Sequence, residues 1–251
     1  MSRERVVLGV DIGGSSIKCC LLDSQIIVQQ AALDYVNGKE PDAVLSMVTE
    51  IVESWNHDGP IGIGFPGLVD GNQIIDAPNM GEEWIGFDLP NQLHRRLGTS
   101  ISIINDADAA ALAMAQETEG WETENILCLT LGTGIGSAWL KQGQLEAGTE
   151  YGRMIHPSLD CSLEQWASVR TLNKETLTLV EWVERLATVL DYLLEEFSPD
   201  RFVLSGGITT SSDEWIQLLR SRIDISIEIS KYGDLTGAVG AAKLHSVLKV
   251  N

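Results

Sequence analysis

The sequence predicts an α/β protein built from two similar halves, and three observations carry that expectation. Apolar runs of strand length alternate with helical stretches in the order β-β-β-α-β-α-β-α, and the order then repeats. Each half opens on two strands joined by a glycine-rich turn. No proline-rich or low-complexity linker parts the halves, which points to a duplicated fold with a cleft between two lobes and a local hinge.

In the first half, Val6–Asp11, Ile17–Leu22 and Gln25–Ala31 read as strands, separated by Gly13-Gly14-Ser15-Ser16 and by Asp23-Ser24. A helix is expected from Pro41 to Trp55, a strand over Ile61–Gly64, a loop from Phe65 to Glu83, a helix over Leu89–Leu97, a strand over Ile101–Ile104, and an alanine-rich helix from Asp106. In the second half, Ile126–Leu131 and Gly136–Leu140 are strands, with a third edge near Gln144. Helices follow over Leu163–Ser168 and Glu175–Phe197, the second with Leu177, Val180, Val183, Leu186, Leu190, Leu193 and Phe197 spaced as one buried face. A strand over Phe202–Gly206, a helix over Ser212–Arg222, a strand over Ile225–Ile229 and a helix over Thr236–Leu248 complete the set. The duplication divides the chain into an N-terminal lobe, 1–106, and a C-terminal lobe, 107–235, with the terminal helix, 236–251, returning to the first lobe.

The 251 residues suffice to bury about 70–75% of the unfolded surface. No apolar run approaches the roughly 20 residues of a bilayer span, and Met1–Gly14 lacks a signal-peptide core, so a cytoplasmic protein with no membrane association is expected. A formal charge of −19 argues against nucleic acid, whose phosphates are held chiefly by Lys and Arg. Between Lys39 and Lys141 the only Lys or Arg residues are Arg95 and Arg96, so a polyanionic ligand needs backbone amides, a metal ion or local cations. Cys19, Cys20, Cys128 and Cys161 have no CxxC spacing and read as reduced thiols, while His57, His94, His156 and His245 show no metal spacing.

Two turns carry chemistry. Asp11-Ile12-Gly13-Gly14-Ser15-Ser16-Ile17-Lys18 sets an acid at a strand end before glycines that let backbone N–H groups approach a phosphate. Leu131-Gly132-Thr133-Gly134-Ile135-Gly136-Ser137 repeats the design. Either alone reads as an ordinary hairpin. Together they have the pattern of a nucleotide or phosphate grip, and no helix starts directly after them as a dinucleotide fold requires.

With Asn105–Ala113 (NDADAAALA), Glu150–Arg153 (EYGR) and Val203–Thr209 (VLSGGIT), these segments resemble in order and spacing the ROK sugar kinases of the actin-like ATPase superfamily, most closely the polyphosphate glucokinases. The resemblance runs from Leu8 to about Ala242. It implies two RNase-H-like lobes, phosphorylation of a hexose with Mg²⁺ and ATP or polyphosphate, and a homodimer. By the same match Asp106 is the catalytic base, since transfer to a hydroxyl needs a carboxylate within hydrogen-bond reach of the O–H; read from sequence alone, Asp106 is equally a helix N-cap. Asp108 is expected on the solvated side of that helix.

The resemblance further implies sugar contacts from Gly67, Asn79, Asn105, Asp106, Glu150, Arg153 and Glu164, with Trp84 near the sugar loop. Asp11, Gly13, Gly14, Ser15, Lys18, Gly132, Thr133 and Gly134 serve phosphate and Mg²⁺, and Gly206 and Gly207 lie on the nucleotide side. Two departures are visible. The family's cysteine-rich zinc loop is absent, so no structural zinc is expected, and Arg153 replaces the histidine of the family's E-x-G-H segment. The competing readings are an ATP-only glucokinase, a type III pantothenate kinase, and a sugar sensor lacking a DNA-binding segment ahead of the first strand at Val6. Polyphosphate leads as donor on resemblance, against a repulsive mean field from the net charge.

Overall fold

The computed structural model describes residues 6–115 and 118–248. The chain divides into two units, one comprising residues up to Ala113 together with the chain from Gly237, the other running from Met114 to Thr236.

In the first unit, β1 (Val6–Ile12), β2 (Ser16–Asp23) and β3 (Ile26–Asp34) form an antiparallel meander, and β4 (Ile61–Phe65) and β7 (Ile101–Asn105) extend it in parallel, in the order β3-β2-β1-β4-β7. β4 is buried throughout and β1 through its middle, as strands covered on both faces must be. On one side lie α1 (Pro41–Ser54), which starts on Pro41, and α2 (Leu89–Leu97), capped by Asp88 and closed by Gly98 at φ 70°. Their apolar faces meet the sheet in a core around Leu8, Val10, Val44, Val48, Ile61, Phe65 and Trp84. The sheet also receives α3 (Asp106–Ala115) and α8 (Thr236–Leu248). Close approach of α8 rests on glycine: a methyl at Gly9 or Gly62 would lie 1.8 Å from the carbonyl oxygens of Ala238 and Ala241.

The second unit repeats the order. β8 (Asn125–Leu131), β9 (Ile135–Lys141) and β10 (Gln144–Glu146) are antiparallel, and β11 (Arg201–Ser205) and β12 (Ser226–Ile229) run parallel to β8, as β10-β9-β8-β11-β12. Its core gathers Leu127, Leu129, Trp139, Trp182, Leu186, Leu190, Phe202 and Trp215 beneath α4 (Leu163–Ala167), α6 (Leu179–Phe197) and α7 (Ile216–Arg220). No described helix is long and apolar enough to cross a membrane.

Local corrections have local causes. The loop expected over 65–83 contains a hairpin, β5 (Leu68–Asp70) with β6 (Gln73–Asp76), turned at Gly71 with φ 58°. The helix expected over Glu175–Phe197 begins only at Leu179, as α6, behind a reciprocal cap between Thr178 and Glu181, and a separate short helix that the sequence reading did not place, α5 (Val169–Lys174), precedes it. Val180, in the first turn of α6, is therefore 57% exposed, and Trp182 fills the buried stripe instead. The helix expected over 212–222 is a 3-10 stretch, Gly207–Glu214, followed by the short α7.

Candidate active site

β1 ends in Asp11 and Ile12, and Gly13 N–H closes the turn on the Ser16 carbonyl at 2.9 Å. Two side chains hold this turn from outside. The Tyr35 hydroxyl donates to the Gly13 carbonyl at 2.7 Å, and the Lys39 ammonium donates to the Gly14 carbonyl while lying over the Tyr35 ring. Burial, and then the charge of Asp11, push the Tyr35 phenol above its ordinary range, so it stays a donor. Neither residue stood out in the sequence, because both contacts span more than twenty positions. Lys18 faces Asp11 directly across the β1–β2 pair, and Ser15 is exposed at the tip.

The strand registers bring the acids together. Asp11 pairs with Gly64, Gly64 with Ile104, and Asp106 begins α3 directly after β7. A methyl at Gly64 would lie 3.6 Å from Asp11 Oδ1 and 3.5 Å from Asp106 Cα, so both acids border one side-chain-free spot at the carboxyl ends of three parallel strands. Asp11 also abuts the start of α8, where a methyl on Gly237 would come within 2.6 Å of its carboxylate.

The cap of α3 is Asn105. Its Oδ1 accepts from Ala107 N–H at 2.8 Å and Asp108 N–H at 3.1 Å, and its Nδ2 donates to the Gly67 carbonyl at 3.0 Å. Asp106 Oδ1 shares the Ala107 N–H at 2.8 Å. The helix start is thus held mainly by Asn105, with Asp106 adding one bond to an N–H that Asn105 already holds. Gly67 is confined as well, since a methyl there would meet the Asp76 carbonyl at 2.0 Å. Asn79 lies exposed on the turn closed by Met80 and Gly81 N–H on the Ala77 carbonyl.

Trp84 is fully buried between Phe65 and Phe87 and donates from Nε1 to the Lys39 carbonyl at 2.8 Å. One expectation is corrected here. Asp108 is only 2% exposed, not solvated, because α8 covers α3 at Gly240 and Ala109 and itself carries buried Lys243.

In the second unit the β8–β9 turn is closed by Gly132 N–H on the Gly134 carbonyl at 3.1 Å, with Thr133 half-buried at its tip. Three neighbours converge on it. The Gly132 carbonyl accepts from Val169 N–H at 3.0 Å and Arg170 N–H at 3.4 Å, at the start of α5. A methyl at Gly134 would lie 2.4 Å from Glu164 Oε2, so this carboxylate stands over the turn. Gly206, at φ 105°, takes a backbone that side chains resist and packs on the Leu131 backbone, which brings Gly206 and Gly207 beside the turn.

Glu150 is set by its neighbours. Ser137 Oγ donates to the Thr149 carbonyl at 3.0 Å and accepts from Tyr151 N–H at 2.9 Å, while Tyr151 OH accepts from Trp139 Nε1 at 2.8 Å. The 3-10 turn Tyr151–Arg153 then packs on β9, since a methyl at Gly152 would meet the Ile135 carbonyl at 2.0 Å. Arg153 Nε lies 3.3 Å from Glu150 Oε2, in a half-exposed ion pair. Leu163 N–H donates to the Met154 carbonyl at 3.0 Å, tying this turn to α4, whose start is fixed by a reciprocal cap between Ser162 and Gln165. Glu150, Arg153, Glu164 and the Gly132–Gly134 turn therefore share one region of this unit.

Among the described residues no three His, Cys, Asp or Glu side chains form a metal-ligand group. A single carboxylate at a strand end beside a glycine turn suits Mg²⁺, which keeps several waters and takes one or two carboxylates plus phosphate oxygens. Asp11 fits that donor set.

Two carboxylates at the ends of parallel strands, a glycine turn in each of two duplicated units and a capped α3 describe a phosphotransferase frame, and the comparisons agree. The model of the ROK family matches residues 7–167, and the chain belongs to that family. It is 32% identical over 244 residues to the polyphosphate glucokinase of Mycobacterium tuberculosis (strain H37Rv), covering 95% of this chain and 91% of the relative. It is 33% identical over 239 residues to the polyphosphate glucokinase of Mycobacterium leprae, covering 93% and 72%. Among solved structures, the inorganic polyphosphate/ATP-glucomannokinase of Arthrobacter sp. strain KM superposes with a TM-score of 0.88 at 28% identity over 97% of this chain and 99% of that one. A ROK family glucokinase from Streptomyces griseus in complex with glucose and AMPPNP gives 0.82 at 21% identity over 95% and 98%, a likeness of fold. The fold class is therefore the duplicated actin-like ATPase type.

Proposed function

We propose that the chain is a hexose kinase that transfers a phosphoryl group from polyphosphate or ATP to glucose at O6. The observation that carries the reading is the placement of Asp106 at the start of α3, where its backbone shares the border of Gly64 with the Asp11 carboxylate. The similarity to polyphosphate glucokinases over 95% of the chain supports the choice of reaction.

In this reading Gly67, Asn79, Asn105, Glu150 and Glu164 orient the sugar hydroxyls, and Arg153 holds Glu150. A hydroxyl left unpaired in a closed site costs about 1–3 kcal/mol, so several fixed partners also give specificity. Asp106 accepts the O6 proton as the new O–P bond forms. The donor's terminal P–O bond breaks, and the electron pair leaves on ADP or on a polyphosphate one unit shorter. The Gly132–Gly134 turn presents N–H groups to the donor phosphates, and Gly206 and Gly207 border its far side. Asp11, with Gly13, Gly14, Ser15 and Lys18, would hold Mg²⁺ and phosphate; when bound, the ion supplies neutralisation of the phosphate charge. A cytoplasmic homodimer completes the reading, on the family resemblance alone.

The test is a coupled assay of purified protein with Mg²⁺ and glucose, supplied with ATP or with polyphosphate. Glucose 6-phosphate formed from polyphosphate supports the reading, turnover with ATP alone replaces it by an ATP-only glucokinase, and turnover with neither rejects a kinase.

A further inference from the structure

We propose that Tyr35 and Lys39 are positioning residues that aim the Gly14 and Ser15 amide N–H groups of the first glycine turn at a donor phosphate. The inference rests on the phosphate role given to this turn above and deepens it, because it names what sets the turn's polarity.

A glycine turn can present either its N–H groups or its carbonyls, since glycine leaves the peptide planes free to rotate. Within one planar trans peptide the C=O and the following N–H point in opposite directions, and every described peptide bond is trans. The Gly13 carbonyl shares its plane with Gly14 N–H, and the Gly14 carbonyl shares its plane with Ser15 N–H. Tyr35 OH donates to the first carbonyl at 2.7 Å, and the Lys39 ammonium donates to the second. Gly14 and Ser15 N–H are therefore turned away from Tyr35 and Lys39. Two successive N–H groups presented in this way suit a phosphate oxygen.

Both outer side chains are themselves held. Tyr35 directly follows β3, and burial, then the Asp11 charge, keeps its phenol protonated and able to donate. Lys39 stands just before α1; its ammonium lies 5.4 Å from the centre of the Tyr35 ring, and its own carbonyl accepts from Nε1 of buried Trp84 at 2.8 Å. The second unit reaches the same end with backbone donors. Its Gly132 carbonyl accepts from Val169 and Arg170 N–H, which by the same planarity turns Thr133 N–H away from α5. The duplicated turns thus share a polarity while using different outer partners.

The experiment uses Tyr35→Phe, which removes one hydroxyl and keeps the ring, Lys39→Met, which keeps the stem and removes the ammonium, and Lys39→Arg, which keeps a donor. Each is compared with the wild type by calorimetric titration with tripolyphosphate and with a non-hydrolysable ATP analogue, both with Mg²⁺ and at several salt concentrations, beside steady-state kinetics and thermal unfolding. Tyr35→Phe and Lys39→Met should each raise the Kd of both probes and the donor KM about three- to tenfold, the effect of one hydrogen bond. The glucose KM should stay within about twofold and the melting temperature within about 2 °C. Lys39→Arg should recover most of the loss. In Lys39→Met the salt dependence of Kd should match that of the wild type, since an ammonium spent on a carbonyl neutralises no phosphate; a flattened dependence makes Lys39 a direct phosphate ligand and overturns its positioning role. An unchanged Kd in Tyr35→Phe, or a glucose KM that rises as much as the donor KM, overturns the proposal as well. A wild type that binds both probes yet turns over with neither donor rejects the kinase reading alone, and the same Kd series then decides the positioning. A wild type that binds neither probe overturns the phosphate role of the turn and the positioning with it.

Discussion

Asp11 and Asp106 border the same glycine, with Gly64 set against Asp11 Oδ1 on one side and the Asp106 backbone on the other. The arrangement follows from register: β1, β4 and β7 are parallel neighbours, so their carboxyl ends deliver both acids to one edge. If Asp106 is the base, Asp106→Asn should lower kcat by about 10²–10⁴-fold with the melting temperature nearly unchanged, because Asn105 rather than Asp106 makes most of the helix cap. A steady-state assay beside thermal unfolding decides it. Turnover near that of the wild type moves the base elsewhere.

The frame of this site was legible in the sequence, and its fastening was not. Strands announced themselves by apolar runs, and the paired glycine turns by their repetition. Tyr35 and Lys39 escaped notice because nothing local marks a side chain that reaches a turn more than twenty residues earlier. Asp108 looked solvated for want of any sign that α8 would cover it. Other signals were present: Asp70-Gly71 marks the β5–β6 hairpin, and Thr178 followed by Glu181 marks a helix start that divides α5 from α6.

Gly237 and Gly240 lie one turn apart on α8 and should fail differently. A methyl on Gly237 meets the Asp11 carboxylate at 2.6 Å, whereas one on Gly240 meets the Ala109 carbonyl at 1.6 Å. Gly237→Ala should therefore displace Asp11, depressing kcat and raising the Mg²⁺ requirement with a stability loss of about 1 kcal/mol. Gly240→Ala must push helices apart, for about 3 kcal/mol or more. Denaturant unfolding beside Mg²⁺ titration of activity separates the two, and equal loss of stability in both variants contradicts the assignment.

The thiols of the first unit set an alkaline limit. Burial, reinforced by Asp11, pushes Cys19 and Cys20 up to about 12 from an ordinary value near 9. The unfolded chain then loses these protons first, so it binds fewer of them than the folded chain between those limits. Stability should be level below about pH 8, fall from pH 9 towards 12, and not recover. Cys19→Ala removes one titration at the cost of a small void. It should lower stability at pH 7 by about 1 kcal/mol yet flatten the alkaline decline. Urea unfolding across pH 7–11 tests this, and a decline as steep as that of the wild type would exonerate Cys19.

Arg153 and Glu150 set the last expectation. The 3.3 Å pair occupies a carboxylate that the family resemblance assigns to the sugar, and an arginine can only donate where a neutral histidine can also accept. Both partners are about 40% exposed, so the pair itself adds little stability. If Glu150 is a sugar ligand, the effect falls on binding, because glucose then takes Glu150 away from a competing cation. Arg153→His should lower the glucose KM severalfold, leave kcat within about threefold and leave the melting temperature within about 2 °C. Arg153→Lys keeps the charge without the guanidinium fork, and should keep a high KM if charge pairing with Glu150 is the cause. A glucose KM that rises in Arg153→His would instead make the guanidinium a direct sugar ligand, donating to a hydroxyl that imidazole does not reach.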